Sequence, residues 1–132
     1  MANAKQAAIG PLGNQSAEEI KYLLRGFPDS AISSALALRN TFNIHELESC
    51  LLGILKFYLP EGAQTSEGNE QGNIRIKEDL GLDSLSIAES MFKIEELFDI
   101  PIEYGEIAEV ETIADAGRLL TQKMTASDNV AV

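Results

Sequence analysis

The sequence has no tryptophan, one cysteine and one histidine, and these shortages exclude several functions. Cys50 cannot form an internal disulfide, and no Cys/His cluster suggests a zinc site. No apolar run approaches the roughly 18 residues of a membrane span. The first 15 residues hold one lysine and an apolar patch too short for a signal peptide. We therefore expect a cytoplasmic protein with no metal site and no stable membrane insertion.

Basic residues are also scarce, and one part of the chain almost lacks them. The 132 residues carry 21 acids and 10 bases, for a net charge of −11. Residues 78–115 hold twelve acids and one base, Lys93, so this acidic segment contains the whole excess of negative charge. Such a segment repels nucleic acid and attracts basic protein surfaces. Acids also keep small proteins soluble, but their concentration in one segment favours a docking surface.

Apolar residues recur at helical spacing, and no alternating pattern of useful length indicates a strand. Capping residues, among them Ser16 and Asn43, and helix-breaking residues predict longer helices over 17–25, 31–40, 44–59, 85–99 and 113–124. They also predict a short helical turn over 104–109. Gly26 ends the first of these helices, Pro60 the third and Pro101 the fourth. Residues 62–73 are polar and contain glycine, so we expect a mobile loop there. The predicted fold class is all-α.

The same patterns divide the chain into four parts. Residues 1–15 and 125–132 lack a useful apolar pattern and are predicted to be disordered tails. Residues 43–124 hold four of the predicted helices, of which the third is short. Residues 16–42, the N-terminal extension, add one or two helices. These either dock a dedicated partner or pack on the remaining helices, and the sequence does not decide between the two.

The stretch EDLGLDSL, residues 78–85, places Ser84 where the best-defined helix begins. Gly81 allows the backbone to turn just before that helix. Free backbone N–H groups and the positive end of the helix dipole favour an attached or bound phosphate at such a position. Asp83 or Ser84 could equally serve as the helix N-cap. The serine is therefore either a cap or a hydroxyl held out for another enzyme to modify.

This octapeptide resembles the phosphopantetheine attachment motif of the acyl carrier proteins. Residues 94–102, IEELFDIPI, resemble the end of the family's second helix and the turn after it, and residues 110–113 resemble the start of its last helix. The resemblance covers residues 75–124 and is weaker over 43–60, while the N-terminal extension has no counterpart in a minimal carrier domain. It implies an acyl-carrier-like four-helix bundle over residues 43–124, with three main helices and a short third one.

The resemblance also implies a function. A phosphopantetheinyl transferase would move 4′-phosphopantetheine from coenzyme A to Ser84, between Asp83 and Leu85, and the thiol of this arm would hold an acyl group as a thioester. The chain would be a monomeric carrier, modified as a phosphoprotein, and not an enzyme. Its partners would be acyl-transfer, condensing or acyl-activating enzymes. The partner would activate the hydroxyl, because the only histidine, His45, lies far away in sequence. Cys50 is expected to be a core residue and not the acyl thiol.

In this family the acidic second helix commonly meets arginine and lysine residues of partner enzymes. The candidate docking residues, with Asp83, are Glu89, Glu95, Glu96, Glu103 and Glu106. Such contacts mainly set association rate, orientation and salt sensitivity. Five apolar residues of the helix are expected to be core residues, namely Leu85, Met91, Phe92, Ile94 and Phe98. All of these except Leu85 are candidates to line a space for the acyl chain. Lys93 interrupts the acidic face and Ser90 stands where an apolar residue is more usual, so the partner's identity stays open.

Cargo class and rival functions also stay open. Leu82 occupies a position where peptidyl carriers more often have glycine, which favours fatty-acid, lipid or polyketide biosynthesis over an aminoacyl or peptidyl carrier. The main rival is a cargo-free helical interaction module with the same fold. A GDSL-type hydrolase is disfavoured because Leu82 separates Gly81 from Asp83. A calcium loop beginning at Asp79 lacks the required glycine and glutamate.

Overall fold

The structure is a computed structural model that describes residues 10–59 and 70–131, with side chains up to residue 124. The described residues form six α-helices and no strand, apart from one isolated antiparallel bridge between Arg75 and Thr112. A 3₁₀ turn covers Gln71–Asn73. The helices are α1 Ala17–Leu23, α2 Asp29–Ala37, α3 Ile44–Phe57, α4 Ser84–Phe98, α5 Tyr104–Ala108 and α6 Ile113–Ala131. The predicted all-α fold class is confirmed for these residues.

The helices begin at the polar residues that the sequence indicates. Ser16 Oγ accepts a hydrogen bond from the Glu19 N–H at 3.0 Å at the start of α1. Asn43 Oδ1 accepts from the His45 N–H at 2.8 Å at the start of α3. These side chains satisfy backbone donors that have no partner inside the helix. At its other end α4 stops at Asp99, whose left-handed φ of 57° turns the chain out of the helix.

The N-terminal extension shares one hydrophobic core with α3, α4 and α6. Leu24, at the end of α1, is fully buried in a cluster that also contains Leu51 of α3 and Leu97 of α4. Helices α2 and α3 approach so closely that a Cβ atom added at Gly53 would lie 2.7 Å from the Cβ of Ala31. Of the two alternatives left open by the sequence, the structure shows the extension packed on the other helices.

Polar contacts also join α4 to the extension and to Gln15, the residue just before it. The ammonium of Lys93 donates to the Leu23 carbonyl at the end of α1 at 3.0 Å, and it lies 5.6 Å from the ring centre of Phe27. A cation at this place suits the unpaired carbonyls of a helix C-terminus. Gln15 Nε2 donates to the Leu97 carbonyl at 2.9 Å. The lysine that interrupts the acidic face therefore holds the extension in place.

The structure corrects the prediction of a disordered N-terminal tail over residues 1–15. Residues 1–9 lie outside the described residues, whereas residues 10–15 form turns that pack on the end of α2. Leu12 is only 1% exposed, and its N–H donates to the Leu38 carbonyl at 3.0 Å. The prediction is wrong for residues 10–15 because a buried leucine and backbone hydrogen bonds order this stretch.

The predicted disordered tail over residues 125–132 is also corrected, because α6 continues to Ala131. No proline or glycine follows Met124 to stop the helix. Val132 lies outside the described residues. Within the predicted loop over residues 62–73, residues 62–69 lie outside the described residues, and Gln71–Asn73 form the 3₁₀ turn.

Candidate functional site

A rigid turn leads the chain into the motif before α4. Asp79 accepts hydrogen bonds from the Arg75 N–H at 2.8 Å and from the Arg75 guanidinium at 3.0 Å. The bond from the Arg75 guanidinium first, and then the bond from the Arg75 backbone N–H, hold the pKa of the Asp79 carboxyl below its usual range. Leu80 and Leu82 are buried in a second hydrophobic cluster, which also contains Leu55 of α3 and Ile113 of α6. Gly81, between Leu80 and Leu82, has a left-handed φ of 76°. This turn fixes the direction from which the chain reaches Ser84.

Asp83 caps α4, and this leaves Ser84 free of that task. Asp83 Oδ1 accepts the Ser86 N–H at 2.8 Å, and this bond lowers the pKa of the Asp83 carboxyl. Ser84 is the first residue of the helix and is exposed. Its hydroxyl makes no hydrogen bond with any residue that the structure describes. The ambiguity between cap and free hydroxyl is thus resolved in favour of a free hydroxyl.

Two residues expected in the core lie on the outside of α4. Leu85 is 68% exposed and Phe92 is 70% exposed, so the core prediction is wrong for both. They share the outer row of the helix with Glu89, because residues three and four apart lie on one face. The inner face instead buries Ser90, whose hydroxyl donates to the Ile87 carbonyl at 2.8 Å. An internal hydrogen bond of this kind lets a serine stand in an apolar position.

A cavity of about 250 Å³ opens beside Ser84, between α4, α5 and α6. Its lining is mainly apolar and includes the predicted residues Met91, Phe92 and Ile94. Phe98 is not part of the lining, since it is buried in the core one turn further along α4. Sequence reasoning missed the other side of the cavity, which α5, α6 and the link between them supply through Tyr104, Ile107, Val110, Ala116, Leu119 and Leu120.

Three of the five candidate docking glutamates are engaged within the chain. Glu95 accepts the Ile102 N–H at 2.6 Å and lines the cavity. Glu96 pairs with Lys93 at 2.8 Å, although the Glu96 side chain remains half exposed. Glu106 accepts the Glu103 N–H at 2.9 Å and pairs with Lys123 at 2.8 Å. The Glu103 N–H first, and then Lys123, lower the pKa of the Glu106 carboxyl.

The other two candidates, Glu89 and Glu103, are exposed. Glu89 forms no ion pair or side-chain hydrogen bond with the residues that the structure describes. It lies between Leu85 and Phe92 on the outer row of α4. This row therefore presents one acidic and two apolar side chains to solvent.

Cys50 lies in the core of α3 and is fully buried. Burial, with a smaller contribution from Glu46, raises the pKa of its thiol to about 12. A thiol of this kind stays protonated and does not react as a nucleophile near neutral pH. This agrees with its expected place in the core.

The described residues contain no group of three or more His, Cys, Asp or Glu side chains placed to hold a metal ion. None of the helices in the described ranges has the length and apolar character needed to cross a bilayer. Comparison of the chain with protein-family models, with curated proteins and with solved structures finds no match in any of the three.

Proposed function

We propose that the protein is an acyl carrier protein that holds acyl groups as thioesters on a 4′-phosphopantetheine arm attached to Ser84. In this proposal α3, α4, α5 and α6 form the acyl carrier domain, a four-helix bundle with a short third helix. The N-terminal extension, α1 and α2, is an addition packed on that domain. We also propose, from Leu82 in the attachment motif, that the acyl groups belong to fatty-acid, lipid or polyketide biosynthesis.

The observation that carries the proposal is the setting of the Ser84 hydroxyl. It is exposed at the first position of a 15-residue helix, it has no hydrogen-bond partner among the described residues, and it adjoins an apolar cavity. A hydroxyl that only capped the helix would accept a hydrogen bond from a backbone N–H. Here the carboxylate of Asp83 accepts that bond, from the Ser86 N–H. The residues present therefore fit an attached phosphodiester whose arm extends from the protein surface.

The arm would supply a terminal thiol that carries the acyl group in a reactive thioester. In the loading step a bond forms between Ser84 Oγ and phosphorus, a pyrophosphate P–O bond of coenzyme A breaks, and adenosine bisphosphate leaves. The hydroxyl proton passes to a base of the transferase, because the exposed Ser84 has no basic partner among the described residues. This chain presents the hydroxyl, and the capped helix holds it in position.

The cavity gives the acyl chain a place away from water. An apolar cavity of about 150 Å³ can bind benzene, and the cavity beside Ser84 measures about 250 Å³. It therefore has room for an acyl chain of short or medium length. Met91 contributes a flexible side chain to the lining, which can adapt to different chains.

The test is to incubate the purified protein with coenzyme A, Mg²⁺ and a permissive phosphopantetheinyl transferase, and to measure the intact mass. The wild type should gain one phosphopantetheine, and Ser84→Ala should gain none. Ser86→Ala is the matched control, because it removes a hydroxyl from the same helical turn, and it should load. An unmodified wild type, beside a known carrier loaded in the same tube, would favour the cargo-free interaction module instead.

A further inference from the structure

Lys77 lines the same cavity as Ser84, and it is the one charged residue of that lining without a partner in the described part of the chain. The lining contains two charged side chains, Lys77 and Glu95. Glu95 is engaged with the Ile102 N–H at 2.6 Å. Lys77 is exposed and forms no ion pair or side-chain hydrogen bond with any described residue. Lys77 also lines a shallow pocket with Glu78, Glu109 and Glu111, but it is paired with none of these acids, so its ammonium is available to a ligand.

The turn before α4 fixes the backbone of Lys77. Its carbonyl accepts the Gly81 N–H at 3.0 Å, and the preceding residue, Ile76, donates its N–H to the Glu111 carbonyl at 2.9 Å. The neighbouring cation, Arg75, is already paired with Glu78 at 2.6 Å and with Asp79 at 3.0 Å. Of these two basic residues, only Lys77 can give its charge to a new anion without breaking an ion pair.

The charge of the surroundings favours such a cation. The acidic segment, residues 78–115, carries twelve acids and one base, and that base, Lys93, is held by Glu96 and the end of α1. A phosphodiester on Ser84 adds one more negative charge to this segment. Opposite charge placed close to a new anion offsets this repulsion.

We propose that Lys77 is a positioning residue that pairs with the phosphodiester of the arm on Ser84 and sets the direction in which the arm leaves the helix. This inference rests on the proposed function. A carboxylate on the cargo is a less suitable partner for Lys77, because the cargo is attached at the far end of a flexible arm. The phosphodiester, in contrast, is bonded directly to Ser84 Oγ, so its place is fixed beside the cavity.

The test is ³¹P NMR of the loaded protein, after intact mass has shown that each variant carries the arm. The variants are Lys77→Gln, Lys77→Arg and, as a matched control, Lys21→Gln on the exposed side of α1. Lys77→Gln should move the phosphodiester resonance by more than its linewidth and make the resonance insensitive to added salt, because the ion pair is gone. Lys77→Arg should stay close to the wild type in both respects, and Lys21→Gln should coincide with it.

An amide spectrum of each variant shows whether the fold is retained, so a change limited to the phosphorus resonance reports on the ion pair. A loaded Lys77→Gln protein with the wild-type ³¹P shift and salt response would overturn the role of Lys77 while leaving the carrier function intact. A wild type that takes up no arm would overturn both.

Discussion

The substitution Leu24→Ala tests whether the N-terminal extension is part of the core. Leu24 has 0% of its surface exposed and packs in the cluster that α3 and α4 also build. Truncation of a fully buried leucine costs about 3–5 kcal/mol, because the lost transfer free energy and the cavity left behind add together. A domain of this size has a free energy of unfolding of about 5–15 kcal/mol. The variant should therefore lose a large part of its stability.

The assay is urea unfolding followed by far-ultraviolet circular dichroism, with Lys21→Ala as the control. Lys21 is exposed on the same helix, so its replacement should change the free energy of unfolding by less than about 0.5 kcal/mol. With a slope of about 1–3 kcal/mol per molar urea, a loss of about 3–5 kcal/mol should lower the midpoint of Leu24→Ala by about 1–5 M. The transition should remain a single one.

Hydrogen exchange separates an integral extension from an appended one. If the extension shares the core, Leu24→Ala should accelerate exchange at amides of α3 and α4, such as those of Leu51 and Leu97, as well as in α1. Loss of protection confined to residues 16–42, with α3 and α4 unchanged, would refute the shared core. In that case the extension would be a separate unit resting on a stable bundle formed by the other helices.

Four further results are expected. Lys93→Met keeps the apolar stem but removes the ammonium from the end of α1, so the free energy of unfolding should fall by about 1–2 kcal/mol in urea titrations. Glu89→Lys should lower the transferase kcat/KM about threefold or more at low salt, and by less at high salt, because it reverses an exposed charge on the outer row of α4. The pKa of Asp79 is lowered in the folded state. Its contribution to stability is therefore complete above the unfolded pKa of about 3.9 and is lost as pH falls through the lower folded pKa. The difference in urea midpoint between the wild type and Asp79→Asn should shrink between pH 5 and pH 2. The thiol of Cys50, with a pKa raised to about 12, should not react with an aromatic disulfide reagent at pH 8 until urea unfolds the chain, whereas the loaded protein should show one fast thiol from the arm.

Each of these expectations has a result that contradicts it. A Lys93→Met protein as stable as the wild type would mean that the bond to α1 contributes nothing. An equal loss of kcat/KM for Glu89→Lys at all salt concentrations would point to a packing effect instead of a charge effect. For Asp79, the pH argument fails if the midpoint difference stays constant over the acidic range. Fast labelling of Cys50 in the folded, unloaded chain would show that α3 opens readily.

The helices were predictable because their signals are local. Periodicity and capping residues lie within a few positions of each helix end, and Ser16, Asn43 and Asp83 perform the capping that the sequence indicates. The position of Ser84 at the start of α4 follows from the same signals. Local signals also fail where tertiary contacts decide, as for residues 10–15, whose order depends on bonds to the end of α2.

The candidate site was only partly predictable. Apolar residues lie on two neighbouring rows of α4, and periodicity does not show which row faces the core, so Leu85 and Phe92 were misplaced. The contact between Lys93 and Leu23 joins residues 70 positions apart, and no spacing rule reaches that far. Lys77 carried no motif signal, and only the shape of the cavity brings it together with Ser84.

The central claim is that Ser84 carries the arm, and tandem mass spectrometry of the protein purified from its own cells tests this most directly. The peptide that contains Ser84 should carry phosphopantetheine, with or without an acyl group, and should release it on fragmentation. An acyl group found there would also identify the cargo. Native protein whose Ser84 peptide is entirely unmodified, and which also fails to load from coenzyme A in vitro, would contradict the claim.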